Sequence, residues 1–254
     1  MNLILFEADE LRGEVITVEG SRANHLIDVL RVVERQAVRI GRLDGPLGMG
    51  TVVSVTDSHV DLRCTFDALP PPRPAVDLLL ALPRPKVMRR LWAQLAALGV
   101  GQIILTNAER VERHYFDTHI LSPANYRPLL VEGLQQARDT WLPRVSIHRQ
   151  FKVLVEDDLD SLCPSGARVV AHPGQRRGLT SAVQQAPADG RVLLAVGPEG
   201  GWNDFELNLL EAHRFEVVDA GPRPLRSDTA CVALLALVHD ALVSRNLPAG
   251  PRRS

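Results

Sequence analysis

The feature that most constrains this chain is a change of period across the stretch Leu69-Pro70-Pro71-Pro72-Arg73-Pro74. Its prolines remove backbone donors and favour an extended spacer over helix or sheet. Before it, Glu14 to Val18, Ala37 to Ile40, Thr51 to Val55 and Val60 to Phe66 alternate apolar with polar side chains and are rich in β-branched residues. That is the pattern of short strands. Asp44 to Gly50 reads as a turn between two of them. Leu26, Val29 and Leu30 share one face of a helical segment at His25 to Arg31. Residues 1–70 are therefore expected to form a small β-barrel domain. After the prolines, apolar runs at Val76 to Leu82, Gly101 to Thr106, Ala167 to Ala171, Arg191 to Val196 and Phe215 to Asp219 alternate with helical patterns. These helices are expected at Val87 to Leu98, Pro123 to Arg138, Asn203 to His213 and Thr229 to Ser244. Alternation of this kind predicts an α/β domain over residues 71–254, with a mostly parallel sheet covered on both sides.

Charge is distributed unevenly along the chain. The formal net charge is -1 overall, but residues 70–149 carry 11 Lys or Arg against 6 acids, and the segments on either side are net acidic. A basic middle suits phosphate contact, and a solvated basic face is the plainer alternative. Cys64, Cys163 and Cys231 are far apart and without paired spacing, so they read as small core residues. No run approaches the roughly 18 consecutive apolar residues of a membrane span, and the first residues lack the pattern of a signal peptide. A cytoplasmic location is the expectation.

In parallel α/β sheets, ligands bind beyond the carboxyl ends of the strands. Three loops there are unusual: Ala171-His172-Pro173-Gly174, Gly197-Pro198-Glu199-Gly200-Gly201-Trp202, and the segment from Ala220 to Ala230. The glycines of the second allow backbone amides to approach a ligand, and Asn203 with Glu206 forms a capping signal for the next helix. In the third, Ser227 or Asp228 as a plain helix cap is the unadorned reading. The chain lacks G-x-G-x-x-G after a strand, G-x-x-x-x-G-K-[ST], G-x-S-x-G, H-E-x-x-H and C-x-x-C. No metal is expected.

Leu194 to Trp202, followed about 20 residues later by Gly221-Pro222-Arg223-Pro224-Leu225-Arg226-Ser227-Asp228-Thr229-Ala230, resembles the signature pair of the RsmE family. These are the 16S ribosomal RNA uridine N3-methyltransferases of the SPOUT superfamily. The resemblance extends to Leu80 to Lys86, Ala97 to Val100 with Arg110 downstream, Gly133 to Asp139, and His25 to Arg31, and so spans nearly the whole chain. The chain departs from the family pattern at Asp228, where Glu is usual, at Ala97, where Glu precedes Leu-Gly-Val, and at Pro224, where Ile precedes Leu-Arg.

The resemblance implies a PUA-like barrel that grips RNA and a SPOUT α/β domain tied in a deep trefoil knot. It also implies a homodimer that binds S-adenosylmethionine and acts on a uridine of the 16S rRNA decoding region, within the 30S subunit. Carried over residue by residue, the cofactor site comprises His172, Pro173, Gly197, Pro198, Glu199, Gly200, Ala220, Gly221, Leu225, Arg226, Ser227 and Thr229. Methylation at uracil N3 needs its proton removed or the anion stabilised, which points to Glu199 and Asp228 as candidate bases and Arg226 as the stabilising cation. Arg22, His25, Arg31, Arg84, Lys86, Arg89, Arg110 and Arg113 are the candidate RNA contacts. Two rival readings are a SPOUT enzyme acting on another RNA position and a non-catalytic RNA-binding assembly factor, which the Asp228 departure favours.

Overall fold

The computed structural model describes residues 3–174, 177–185, 190–219, 221, 223 and 225–246. The chain forms two compact units, one of residues 1–73 with 130–142, the other of residues 74–129 with 143–254.

The first unit is built on a six-stranded mixed sheet. Its strands are β1 (Ile4–Phe6), β2 (Leu11–Arg12), β3 (Val15–Glu19), β4 (Ala37–Arg42), β5 (Leu47–Val55) and β6 (His59–Phe66), in the order β1-β4-β5-β6-β3-β2. All pairs are antiparallel except β1 with β4. Strand β5 begins at Leu47, so the glycine-rich segment expected as a turn is largely strand. Gly48 is required there, because a Cβ would lie 2.1 Å from the Thr65 carbonyl oxygen. The helical segment near His25 is a short α1 (Gly20–Asn24) running into a π-helical turn over His25–Val29. Alternation along β3 and β6 sends Ile16, Val18, Val60 and Leu62 into one core with Ile4, Phe6, Leu26 and Ile40.

The second unit holds a six-stranded, all-parallel sheet of β7 (Val76–Ala81), β8 (Val100–Thr106), β9 (Arg144–His148), β10 (Ala167–Ala171), β11 (Val192–Val196) and β12 (Phe215–Val218). Their order is β12-β10-β11-β7-β8-β9. Every residue of β7 and β11 is buried, and because successive side chains point to opposite faces, both faces of the sheet centre are covered. The longer helices of this unit are α2 (Pro85–Ala97), α7 (Asp204–Ala212) and α8 (Ser227–Asn246), the short ones are α4 (Phe151–Val153), α5 (Leu159–Leu162) and α6 (Leu179–Gln184), and α3 (Pro123–Ala137) is divided between the units at Leu130.

Helix α2 starts with Pro85 at its first turn and buries Met88, Leu91, Trp92 and Leu95, the helical spacing of its sequence. Helix α8 packs on α2, α6, β7 and β11. By length and composition α8 is also apolar enough to cross a membrane, with mean hydropathy 1.4 over Ser227–Arg245. Val232, Leu237 and Val243 stay exposed along it. Asp77 of β7 is buried and accepts from the Arg191 guanidinium at 2.6 Å, yet burial outweighs that partner and pushes its carboxyl above the usual range. The three cysteines are free and buried.

Candidate active site

The three unusual loops follow β10, β11 and β12, and they wall a single cavity of about 260 Å³ at the carboxyl ends of those strands. The adjacency is set by pairing: β10 lies between β11 and β12. His172, Pro173, Gly197, Pro198, Glu199, Gly200, Gly221, Leu225 and Ser227 line the cavity. Ala220 lies outside the described residues. Arg226, Asp228 and Thr229 do not line it, for a helical reason. Helix α8 begins at Ser227, with the Arg226 carbonyl accepting the Ala230 N–H at 2.7 Å, so Ser227, Ala230 and Leu234 share the inward face while Arg226 and Thr229 point elsewhere. Val196, Gly201, Asp219 and Arg223 also contribute to the lining. Asp219 carried a sequence signal, as the residue that ends a strand just before the third loop.

Glycine is used at this site for close approach. A Cβ on Gly197 would come within 3.1 Å of the Trp202 indole, and one on Gly200 within 2.6 Å of Arg110 Cδ. Arg110 donates to the carbonyls of Gly200 and Gly201, which ties the loop after β8 to the loop after β11. Glu206 strengthens that tie. Its buried carboxylate accepts the Glu109 N–H at 2.7 Å and the Asn203 N–H at 2.9 Å, while Asn203 caps α7 by accepting the Glu206 N–H. The sequence showed the capping box but not the second loop that it holds.

Two carboxylates beside the cavity are paired across elements. Arg84, just before α2, lies 3.5 Å from Glu199, and Arg90 on α2 bonds Asp228 at 2.9 Å. Asp228 Oδ1 accepts the Thr229 N–H at 2.9 Å. Asp228 is therefore neither a free base nor the residue that caps α8 from outside the first turn; it sits inside that turn, where a carboxylate also suits the helix dipole. Arg226 is exposed and makes no ion pair among the described residues. Below the turn, burial and the nearby Asp228 charge push the Cys231 thiol up to about 12. The side-chain oxygen of Ser227 and Nδ1 of His172 are buried without a hydrogen-bond partner. Buried polar atoms left open in a cavity wall are suited to a polar ligand.

Among the candidate RNA contacts, Lys86, Arg89 and Arg113 are exposed. Arg22 is not available in the expected way, because its guanidinium is held by the Glu10 carboxylate and the Leu5 carbonyl inside the first unit. His25 is partly buried and Arg31 is exposed with a positive φ of 49°. No group of three His, Cys, Asp or Glu able to hold a metal occurs among the described residues.

A family model described as an RNA methyltransferase domain matches residues 70–239. The chain belongs to that family. Within it, the chain is 28% identical to a ribosomal RNA small subunit methyltransferase E of Treponema pallidum, over 100% of this chain and 97% of that one. A second such protein, from Borreliella burgdorferi, is 22% identical over 96% of this chain and 100% of its own length. The RsmE resemblance thus spans both units. A crystal structure of a ribosomal RNA small subunit methyltransferase E from Neisseria gonorrhoeae, bound to S-adenosyl methionine, shares the fold with a TM-score of 0.75, at 19% identity, covering 94% of this chain and 97% of that one.

Proposed function

We propose that this chain transfers a methyl group from S-adenosylmethionine to N3 of one uridine in the decoding region of 16S ribosomal RNA, acting as a homodimer on the 30S subunit. The observation that carries the reading is the cavity between the loops after β10, β11 and β12, in a chain of the RNA methyltransferase family. Its residues suit the cofactor. Val196, Leu225, Ala230 and Leu234 offer an apolar wall, the glycine loops leave amides accessible, Ser227 Oγ and His172 Nδ1 lack partners, and Glu199 and Asp219 bring negative charge to a cationic ligand. When bound, S-adenosylmethionine supplies a methyl group activated as a sulfonium.

The protein must then manage one proton and one developing charge. Glu199 lines the cavity, and its exposed ion pair with Arg84 is loose enough to yield, so Glu199 takes the N3 proton. Asp228 has both oxygens engaged, and its role is to position Arg90 and the first turn of α8. Arg226 does not line the cavity; exposed at the start of α8 and without an ion pair among the described residues, it is the cation available to the negative charge that builds on the uracil oxygens once RNA is bound. Holding nitrogen and methyl in line is chiefly a matter of position, which backbone-rich loops can provide. Arg84, Lys86, Arg89, Arg110 and Arg113, with His25 and Arg31 of the first unit, contact RNA phosphates. The same reading takes the first unit as a PUA-like RNA grip, the second as a knotted SPOUT domain, and the exposed Val232, Leu237 and Val243 of α8 as part of the subunit interface.

The test is calorimetric titration of S-adenosylmethionine into wild type and Gly200→Trp, followed by methyl transfer to unmodified 30S subunits and mapping of the modified base. Binding by wild type alone, with N3-methyluridine in the decoding region, is the expected result. Transfer to another position would overturn the substrate assignment. Absence of both binding and transfer would favour a non-catalytic RNA-binding factor.

A further inference from the structure

A second hollow opens in the α/β unit at the carboxyl ends of β8 and β9, away from the loops that wall the first cavity. It measures about 610 Å³, and its lining includes Asn107, Arg113, Arg149, Gln150, Phe151 and Lys152, with no carboxylate. An adjoining hollow of about 290 Å³ shares Asn107, Arg113, Phe151 and Lys152 and reaches Phe205 on α7. Two carboxylates border this smaller space. One, Glu206, is spent on the backbone amides of Glu109 and Asn203; the other is Glu109 itself.

Arg113 is exposed and its guanidinium makes no hydrogen bond or ion pair among the described residues. Lys152 has only a 3.8 Å contact with Glu156, and Arg149 is held against Asp117 and the Phe116 carbonyl. The Oδ1 atom of Asn107 is buried with no partner. An open amide acceptor, two available cations and an exposed aromatic ring at 58% of its surface form a set that recognises a base, a phosphate and a ring face together.

We infer that these two adjoining hollows together bind one nucleotide of single-stranded RNA, with its phosphate on Arg113 and Lys152, its base edge on the Asn107 amide and its ring against Phe205 of the smaller one. The inference rests on the proposed methyltransferase reading for the identity of the ligand and adds a separate subsite for a nucleotide other than the one modified. It also has a physical connection to the first cavity. Phe151 packs on Trp202 with ring centroids 5.3 Å apart, and Trp202 closes on Gly197 of the cofactor wall. A nucleotide seated over Phe151 would bear on the aromatic stack that shapes that wall.

The test uses the full chain and fluorescein-labelled decauridylate, followed by anisotropy over a salt series, with S-adenosylmethionine affinity measured in parallel. Arg113 and Lys152 are exposed, so the Arg113→Ala/Lys152→Ala variant removes charge without opening the core. It should bind the oligonucleotide at least about tenfold more weakly, and the dependence of log affinity on log salt should lose roughly 0.7 units for the one phosphate contact. Phe205→Ala keeps the charge and should weaken binding about fivefold or more through lost stacking. Uridine monophosphate should compete better than inorganic phosphate. Unchanged affinity in both variants, no binding by wild type, or equal competition by inorganic phosphate would each overturn the subsite. A wild type that binds S-adenosylmethionine and methylates 30S, while its oligonucleotide affinity ignores these variants, sinks the subsite alone. Binding through the hollow without cofactor binding or methylation sinks the methyltransferase reading alone.

Discussion

Arg90 on α2 donates to Asp228 on α8 across 2.9 Å, while the other oxygen of the same carboxylate accepts the Thr229 N–H. The pair joins two helices that pack on each other beside the candidate active site. Because Arg90 is well exposed, Arg90→Ala should lower stability by less than about 1 kcal/mol in urea denaturation. It should also free one oxygen of Asp228, and the methylation rate reports whether that matters.

The two candidate bases, Glu199 and Asp228, should separate kinetically. Glu199→Gln is expected to slow single-turnover methyl transfer by about 10² to 10⁴-fold while leaving S-adenosylmethionine affinity within a few-fold. Asp228→Asn should cost less than about tenfold, since it keeps one acceptor and its role is positional. The reverse ranking would move the proton to Asp228.

Gly200 and Gly197 are close-approach positions of different kinds. At Gly200 the obstacle is the flexible Arg110 side chain, so Gly200→Ala should be tolerated with a modest loss of affinity. At Gly197 the obstacle is the buried Trp202 ring, 3.1 Å from a Cβ, and Gly197→Ala should lose about 1 to 3 kcal/mol of stability by overpacking. Melting curves with and without S-adenosylmethionine distinguish the two.

Removing the Glu206 carboxylate strands two backbone donors at once. Glu206→Ala leaves the part-buried Glu109 and Asn203 amides without their acceptor, so a loss of roughly 1 to 3 kcal/mol is expected. A matching rise in mobility of both loops should appear in hydrogen exchange.

Burial raises the Cys64 thiol, and it pushes Cys163 up to about 11 and Cys231 up to about 12. Thiolate is the reactive form, so iodoacetamide at pH 8 should leave the native protein unmodified and label all three cysteines in urea. The folded state holds these protons more tightly than the unfolded chain. Their contribution to stability is therefore full below pH 9 and declines as pH rises toward 11 or 12. Cys231→Ala should remove part of that alkaline decline in the urea midpoint.

Strong periodicity carried most of the architecture. The apolar run that became β11, the run of β7 broken only by Asp77, and the helical spacing of α2 were legible because burial on two faces, or on one stripe, leaves a direct trace. Strand β9 left none: as a polar edge strand from Arg144 to His148, it has no residue that must be buried. Strand β1 was too short to show alternation. Residues 130–142 joined the first unit from the middle of the second, a non-local event that no window of sequence records. At the site, the loops were visible through their glycines and prolines, whereas the division of the third loop into lining and non-lining residues depended on where α8 begins. One residue of helix phase separates Ser227 from Arg226.

The cavity hangs on the outermost strand of its sheet. Strand β12 has four residues and pairs with β10 alone among the described strands, so its release would take away one wall while the centre at β7 and β11 stays closed. Opening of that margin is a smaller cooperative event than unfolding of the domain, and amides from Phe215 to Val218 belong to its low-energy end. A molecule bound against Asp219 and Leu225 adds its binding free energy to keeping the margin shut. Occupancy thus becomes a property of the sheet: the final strand is fastened from outside by whatever fills the pocket beside it.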